Sequence, residues 1–340
     1  MGLFSFKQEL AVDLGTANTV ILKDGKIVLD EPSVVAFDLR TNEVLAVGAK
    51  AREMYEKGHA FIRTVRPLKD GVIADFNAAE QMIRGMVKLI NKKSHRLFSP
   101  ALTMVVSIPS GSTEVETRAV HDSSEHAGGR DVYMIYEPMA AAIGIGIDVL
   151  APEGNMIVDI GGGTTEIAVI SYGGIATKQS IRVAGDVLTN DIVEYMRRSH
   201  NVRIGERTAE EIKIKVGSAL KELDDAPEDF TVTGADQMDT LPRQIPINYS
   251  EIASCLDVSI KKMEEAILKT LEETPPELYG DVVQRGINLT GGGALLRGLD
   301  KRFSDRFGIK FIVPEDPLHA VANGTGVALK HTDSFNFLIR

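Results

Sequence analysis

The chain has 340 residues, enough for two or more domains, and its 44% apolar and 25% charged residues exclude a disordered or collagen-like protein. Its formal net charge of −10 disfavours non-specific attraction to nucleic acid or anionic lipid, so we expect no nucleic-acid partner and only local, apolar membrane contacts. The single cysteine, Cys255, excludes an internal disulfide and fits a reducing cytoplasm.

The first half of the chain opens as an antiparallel meander. Apolar strands are predicted at residues 10–14, 19–22 and 26–29, with Asp24-Gly25 as a two-residue hairpin turn. Because the turn at residues 15–18 joins two strands, it differs from the strand-to-helix turn of dinucleotide-binding proteins. The pattern then predicts, in order, a hairpin at 33–47, a helix at 78–90, a buried strand at 103–108, a polar helix at 113–127, a strand at 132–135 and a helix beginning near Glu137.

The second half repeats the opening device. Residues 156–170 again read as apolar strand, aspartate, glycine-rich turn, threonine and apolar strand, which predicts two related lobes. Between residues 204 and 247 the composition turns polar and predicts an inserted subdomain. A helix at 249–271, a strand at 286–289, a third glycine turn and a helix from about Leu295 complete the prediction.

Two glycine turns have the composition of a phosphate site. An oligophosphate needs backbone N–H groups at close range, which favours turns without Cβ atoms, and a cation to offset its charge. Gly15-Thr16 and the turn 161–164 supply such backbone, and each follows an aspartate, Asp13 or Asp159, that could hold Mg²⁺ directly or through water. Each turn alone is also compatible with an ordinary hairpin, and the matched pair favours the phosphate site.

Glu137 is the candidate for orienting an attacking water, because phosphoryl transfer depends mostly on positioning and electrostatics. It lies at a predicted helix N-terminus between the two turns and is followed by Pro138. A glutamate there could equally interact only with the helix dipole, and the residues alone leave both interpretations open.

Five segments in this order resemble the nucleotide-site motifs of the actin superfamily, and more narrowly those of the MreB family of bacterial actins. They are 13–19 (DLGTANT), 31–36 (EPSVVA), 137–144 (EPMAAAIG), 159–166 (DIGGGTTE) and 289–294 (LTGGGA), with further similarity at 66–75 and 204–210. The resemblance covers residues 8 to 330. It implies an α/β actin-like ATPase fold: two lobes of duplicated ribonuclease H-like mixed sheets with flanking helices, each with a small inserted subdomain.

The resemblance also implies subdomain boundaries and site roles. Subdomain IA would comprise 1–31, 74–147 and 315–340, IB 32–73, IIA 148–183 and 246–314, and IIB 184–245. The implied ligands are ATP and Mg²⁺. The phosphates would be bound by Thr16, Ala17, Asn18, Gly161, Gly162 and Gly163, with Asp13 and Asp159 near Mg²⁺. The hydrolytic water would be positioned by Glu137 with Thr164. The adenosine would be held by Glu210, Lys213, Gly291, Gly292, Gly293 and Ala294. Ala184-Gly185-Asp186 departs from the Gly-Gly-Asp that the family often has there.

Membrane contact is expected to be peripheral. No apolar stretch approaches the ~18 residues of a spanning helix, and the N-terminus lacks the features of a secretory signal. Leu3, Phe4 and Phe6 could insert at a bilayer interface or simply begin the first strand. The resemblance adds a second apolar point, Leu97 and Phe98, beside a basic cluster, although these two could instead anchor a loop.

The resemblance further implies a filament-forming, slowly hydrolysing ATPase at the inner face of the cell membrane, which organises wall synthesis and sets rod shape. Expected partners are further copies of the chain, paired as antiparallel protofilaments through the helix at 113–127, together with RodZ-like, MreC-like and MreD-like membrane proteins and the wall-synthesis machinery. A solvent-exposed helix without a partner would show the same sequence pattern as a helix in such a contact. A sugar or acetate kinase and a chaperone ATPase are the alternatives, although no acceptor-hydroxyl motif and no peptide-binding domain is found in the sequence.

Overall fold

A computed structural model describes residues 7–57, 60–92 and 101–340. The chain forms two lobes, each built on a five-stranded mixed sheet. The elements up to residue 144 are β1 (Lys7–Leu14), β2 (Asn18–Lys23), β3 (Lys26–Pro32), β4 (Val35–Asp38), β5 (Val44–Val47), α1 (Ala49–Lys57), β6 (Ile62–Val65), β7 (Leu68–Lys69), β8 (Val72–Ile73), α2 (Phe76–Lys92), β9 (Ala101–Ile108), α3 (Glu114–His126), β10 (Gly129–Tyr136) and α4 (Glu137–Gly144).

The remaining elements form lobe II and then return to lobe I with the last helix. They are β11 (Asn155–Ile160), β12 (Thr165–Ser171), β13 (Gly174–Ile181), α5 (Gly185–Ser199), β14 (Val202–Arg203), α6 (Glu206–Val216), β15 (Phe230–Asp236), β16 (Pro242–Ile247), α7 (Tyr249–Glu273), α8 (Pro276–Arg285), β17 (Ile287–Thr290), a 3₁₀ helix (Gly292–Leu295), α9 (Leu299–Phe307), β18 (Phe311–Ile312) and α10 (Ala320–Leu329).

The two sheets confirm the internal duplication. In lobe I the strand order is β10-β9-β1-β2-β3, and in lobe II it is β18-β17-β11-β12-β13. Each sheet has an antiparallel meander of three strands, and the first strand of each meander pairs in parallel with a later strand, β9 or β17. Smaller three-stranded sheets, β5-β4-β6 and β14-β15-β16, lie within the predicted insertions. The subdomain boundaries themselves stay a prediction.

Burial explains the apolar sequence of the central strands. All six residues of β11 are buried, so this strand reads as a nearly continuous apolar run rather than an alternating one. A separate core joins the lobes, where Ala140 of α4 and Ala320 of α10 pack with residues of both sheets. The two helices touch through their backbones: a Cβ added to Gly324 would lie 1.7 Å from the carbonyl oxygen of Ala140.

One predicted element is wrong in detail. The helix expected from about Leu295 begins at Leu299, after the 3₁₀ turn and a left-handed residue, Gly298, with φ of 71°. Because that conformation interrupts helical hydrogen bonding, the glycine turn and the helix are separate elements. Within the described residues, no helix is both long enough and apolar enough to cross a membrane.

Candidate active site

The two predicted phosphate turns face each other between the lobes. A Cβ added to Gly162 would lie 2.8 Å from the Cβ of Ala17, and one added to Gly163 would lie 2.5 Å from the Oγ1 of Thr16. The hydroxyl of Thr16 also accepts a hydrogen bond from the backbone N–H of Gly71 at 3.0 Å. Glycine is therefore required at 162 and 163 by the close approach of the opposite turn.

Asp13 and Asp159 lie at equivalent places, one residue before the ends of the central strands β1 and β11. The hydroxyl of Ser107, the penultimate residue of β9, donates to Asp13 at 2.8 Å, and that of Thr290, the last residue of β17, donates to Asp159 at 2.8 Å. Burial raises the pKa of Asp13 to about 6 and that of Asp159 to about 7. Two desolvated, hydrogen-bonded carboxylates with raised pKa values are a chemically suitable pair for Mg²⁺, which prefers oxygen ligands.

Glu137 is the first residue of α4 and belongs to the same acidic group. Burial, followed by the charges of Glu166, Asp159 and Asp13, holds its pKa well above the usual range of a glutamate. A carboxylate with a raised pKa binds a proton more readily than an ordinary glutamate, as a general base requires. Thr164, its proposed partner, is buried on the opposite lobe at the end of the phosphate turn.

The predicted adenosine residues form a second cluster beside the turn 161–164. The ammonium of Lys213 lies 2.7 Å from the carboxylate of Glu210 and donates to the carbonyl of Gly185 and the hydroxyl of Thr189, each at 3.0 Å. The N–H of Gly185 in turn donates to the carbonyl of Gly161 at 3.1 Å. The two regions are thus joined directly, and Ala184, which departs from the family pattern, leaves this hydrogen bond in place.

The third glycine turn packs against the end of β11. A Cβ added to Gly291 would lie 2.4 Å from the carbonyl oxygen of Ile160, and one added to Gly293 would lie 2.2 Å from the Ile160 side chain. Gly291 has a φ of 78°, which favours glycine, and Ala294 is buried. Gly292 begins the 3₁₀ helix, and Asn18 begins β2 beside the first turn.

Sequence reasoning missed Ser107 and Thr290, and it gave Arg66 no role. Ser107 and Thr290 occupy equivalent places in the duplicated sheets, and the strand order, which pairs β9 with β1 and β17 with β11, was needed to find them. The guanidinium of Arg66 reaches across the cleft to the carboxylate of Asp186 at 2.6 Å and so adds an ion pair between the lobes. The five residues predicted to contact membrane, Leu3, Phe4, Phe6, Leu97 and Phe98, lie outside the described residues.

The raised pKa values of Asp13, Asp159 and Glu137 should make the ligand-free protein less stable as pH rises from about 4 to about 7. In this range the folded state binds more protons than the unfolded chain, because the pKa of Asp159 is about 7 in the fold. Asp159→Asn should reduce this loss, by about 1.4 kcal/mol for each pKa unit removed, and should abolish binding of the magnesium nucleotide. Urea unfolding at pH 5 and pH 8, without nucleotide or divalent cation, measures the effect.

Asp225→Asn is the control for this measurement, since Asp225 is exposed in the acidic loop of lobe II. It should leave the pH dependence of the free energy of unfolding unchanged. An Asp159→Asn protein with the same pH dependence as the unmodified chain would contradict the assignment.

Known proteins share this sequence and architecture over almost the whole chain. The family model "MreB/Mbl protein" matches residues 7–336. The cell shape-determining protein Mbl of Bacillus subtilis is 45% identical over 329 residues, which cover 96% of this chain and 97% of that protein. The cell shape-determining protein MreB of Escherichia coli is 44% identical over 333 residues, covering 96% of this chain and 95% of that protein.

Solved structures agree with these relatives. Crystalline MreB5 of Spiroplasma citri bound to AMPPNP has a TM-score of 0.89 at 36% identity, covering 96% of this chain and 97% of that one. MamK from a double helical filament has a TM-score of 0.76 over 96% of this chain and 99% of that one; at 19% identity, this likeness concerns the fold alone. The actin-like fold is therefore confirmed, and the chain belongs to the MreB/Mbl family.

Proposed function

We propose that this protein binds MgATP between its lobes, hydrolyses it slowly, and polymerises into membrane-associated filaments that organise cell-wall synthesis and determine rod shape. The observation that carries the proposal is the pair of facing glycine turns, each preceded by an aspartate that accepts a hydrogen bond from a hydroxyl. The names of the curated relatives support the cell-shape role, and the AMPPNP and ADP complexes of MreB5 support nucleotide binding.

Each site residue has a distinct part in this proposal. Backbone N–H groups of residues 16–18 and 161–163 bind the phosphates, and Asp13 and Asp159 would hold Mg²⁺ through water. When bound, Mg²⁺ offsets the charge that develops on the phosphates during transfer. Glu137, with Thr164, orients the hydrolytic water and holds its proton. Glu210, Lys213 and the turn 291–294 hold the adenosine.

Polymerisation extends this chemistry to the membrane. A filament carries many copies of a weak apolar anchor, so avidity turns marginal contacts into stable attachment. Antiparallel pairing of protofilaments through α3 would place the anchors of both protofilaments on one face. RodZ-like, MreC-like and MreD-like membrane proteins and the wall-synthesis machinery are the partners that the family resemblance implies.

Sedimentation with and without MgATP and phosphatidylglycerol vesicles tests the function. We expect MgATP-dependent pelleting and co-sedimentation with vesicles, whereas a sugar kinase or a chaperone would stay in the supernatant.

Replacing Leu97 and Phe98 by serine should weaken vesicle binding while leaving MgATP-dependent pelleting intact. Met238→Ser, which alters another apolar side chain that is 85% exposed, is the control. A protein that stays monomeric with MgATP and lipid would contradict the proposal.

A further inference from the structure

The carboxylate of Glu166 is buried between the lobes and has no part in the roles given above. It lies on β12, two residues beyond Thr164, and its side chain is inaccessible to solvent. One carboxylate oxygen accepts hydrogen bonds from the N–H and the hydroxyl of Ser110, at 2.9 and 2.6 Å. The other accepts from the hydroxyl of Ser180 at 2.5 Å. Three donors therefore converge on one buried acceptor group.

These hydrogen bonds join the two lobes. Ser110 belongs to the loop that leads from β9 to α3 in lobe I, whereas Glu166 and Ser180 are directly paired on β12 and β13 in lobe II. The ammonium of Lys178 adds a fourth bond, to the carbonyl of Ser110 at 2.5 Å. We refer to Ser110, Glu166, Lys178 and Ser180 as the interlobe clasp.

The close packing at the clasp leaves little room for the loop after β9 to slide along β13. A Cβ added to Gly111 would lie 2.7 Å from the Cβ of Ser180, so the backbone of the loop rests directly on β13. Because buried hydrogen bonds to a charged group are stronger than exposed ones and costly to leave unmade, the loop and the strand are expected to move as a unit.

The clasp adjoins the backbone segments that contain the two proposed hydrolytic residues, Glu137 and Thr164. Glu137 belongs to lobe I, and Thr164 belongs to lobe II. The Lys178 ammonium lies 4.9 Å from the ring centroid of Tyr136, the residue before Glu137. On the other lobe, Glu166 follows Thr164 on the same continuous backbone. A change in the clasp would therefore alter the separation of Glu137 and Thr164.

We propose that Glu166 is a positioning residue for ATP hydrolysis: by holding Ser110 and Ser180 together, it fixes Glu137 of lobe I relative to Thr164 of lobe II. This inference rests on the proposed function. The Glu166 charge also contributes to raising the pKa of Glu137, which is consistent with their proximity. Glu166 itself does not contact the reacting atoms in this proposal.

Steady-state hydrolysis by Glu166→Ala and Glu166→Gln tests the positioning role. The alanine variant should lose about 100-fold in kcat, the size of effect that a misplacement of about 1 Å can have, with little change in KM for ATP. Glutamine retains the length, an oxygen for Ser110 and an amide for Ser180, so it should restore most of kcat. Normal kcat in the alanine variant, or a glutamine variant as slow as alanine, would overturn the inference.

Amide hydrogen exchange without nucleotide provides an independent readout. Peptides covering residues 109–113 should exchange faster in Glu166→Ala, and unchanged exchange would overturn the clasp whatever the ATPase result. If the alanine variant does not fold, the double variant Ser110→Ala/Ser180→Ala can be used instead, because it removes two of the three donors to Glu166. This double variant should show the same loss of kcat and the same faster exchange. Normal kcat together with normal exchange would overturn the inference.

Arg182→Gln is the matched control. Arg182 also faces lobe I, 3.9 Å from Glu116, but its side chain is 63% exposed, so its loss should change neither kcat nor exchange. Absence of hydrolysis in the unmodified chain would contradict the proposed function itself. Normal hydrolysis in both the unmodified chain and the clasp variants would contradict only the positioning role.

Discussion

Glu137→Gln should slow ATP hydrolysis by about 100-fold or more, the effect expected when a group that orients and deprotonates the nucleophile is lost. Nucleotide binding should be retained, because the glycine turns and both aspartates remain. The expected pattern is a fall in kcat with little change in the affinity for ATP. Phosphate release under single-turnover conditions, together with equilibrium binding of a fluorescent ATP analogue, measures the two quantities separately.

Stability distinguishes this loss from damage to the fold. Burial, followed by the negative charges of Glu166, Asp159 and Asp13, raises the pKa of the Glu137 carboxyl. Replacing it by a neutral amide of the same size removes like-charge repulsion, so the ligand-free variant should be at least as stable at pH 8 as the unmodified protein.

Glu277→Gln is a suitable control, because Glu277 also lies in the first turn of a helix next to a proline, but is exposed on α8. Its rate of phosphate release should equal that of the unmodified chain. Unchanged release from Glu137→Gln would remove Glu137 from the proposed mechanism and leave only an interaction with the helix dipole.

Local patterns predicted the elements whose causes are local. The hairpin at Asp24-Gly25 is confirmed, with φ of 53° and 73°, because these two residue types tolerate the left-handed conformation that such a turn needs. The helix at 113–127 is confirmed as α3, whose N-terminus carries a capping box between Thr113 and Glu116. Both signals lie within a few residues of the structure that they specify.

The missed parts of the site depend on contacts between distant segments. Ser107 meets Asp13 from 94 residues away, and Thr290 meets Asp159 from 131 residues away. Each contact follows from a parallel strand pairing that no local pattern encodes. The duplication predicted the turns and aspartates, but the strand order was needed to add their hydroxyl donors and the interlobe contact of Glu166.

Helix α10 was missed for a different reason. It is buried on almost every side and contains Gly324 and Gly326, so it lacks both the amphipathic period and the composition of a typical helix. Its partner α4 is similarly apolar, with five buried residues out of eight. An Ala-x-x-x-Gly pair occurs in each helix, Ala140 with Gly144 and Ala320 with Gly324, and the two helices pack through these small residues.

Gly324→Ala should therefore destabilise the protein strongly. The added methyl would lie 1.7 Å from the carbonyl oxygen and 2.6 Å from the carbonyl carbon of Ala140, and 2.8 Å from the nitrogen of Gly144. All three atoms are backbone, so no side chain can rotate away and the helices must separate. We expect a loss of about 3 kcal/mol or more in the free energy of unfolding, at or above the upper end of ordinary overpacking. Urea unfolding of the ligand-free protein measures it.

Gly280→Ala is the matched control for the same chemical change. Gly280 lies within α8, and a Cβ added there meets nothing within 4 Å. Because alanine restricts the unfolded chain and favours the helix, this variant should gain about 0.4–1 kcal/mol in the free energy of unfolding. Opposite signs for the two substitutions would establish that close backbone contact, and not helix propensity, requires glycine at position 324. Equal stability of Gly324→Ala and the unmodified chain would contradict the backbone contact between α4 and α10, and with it the packing that joins the two lobes beside Glu137.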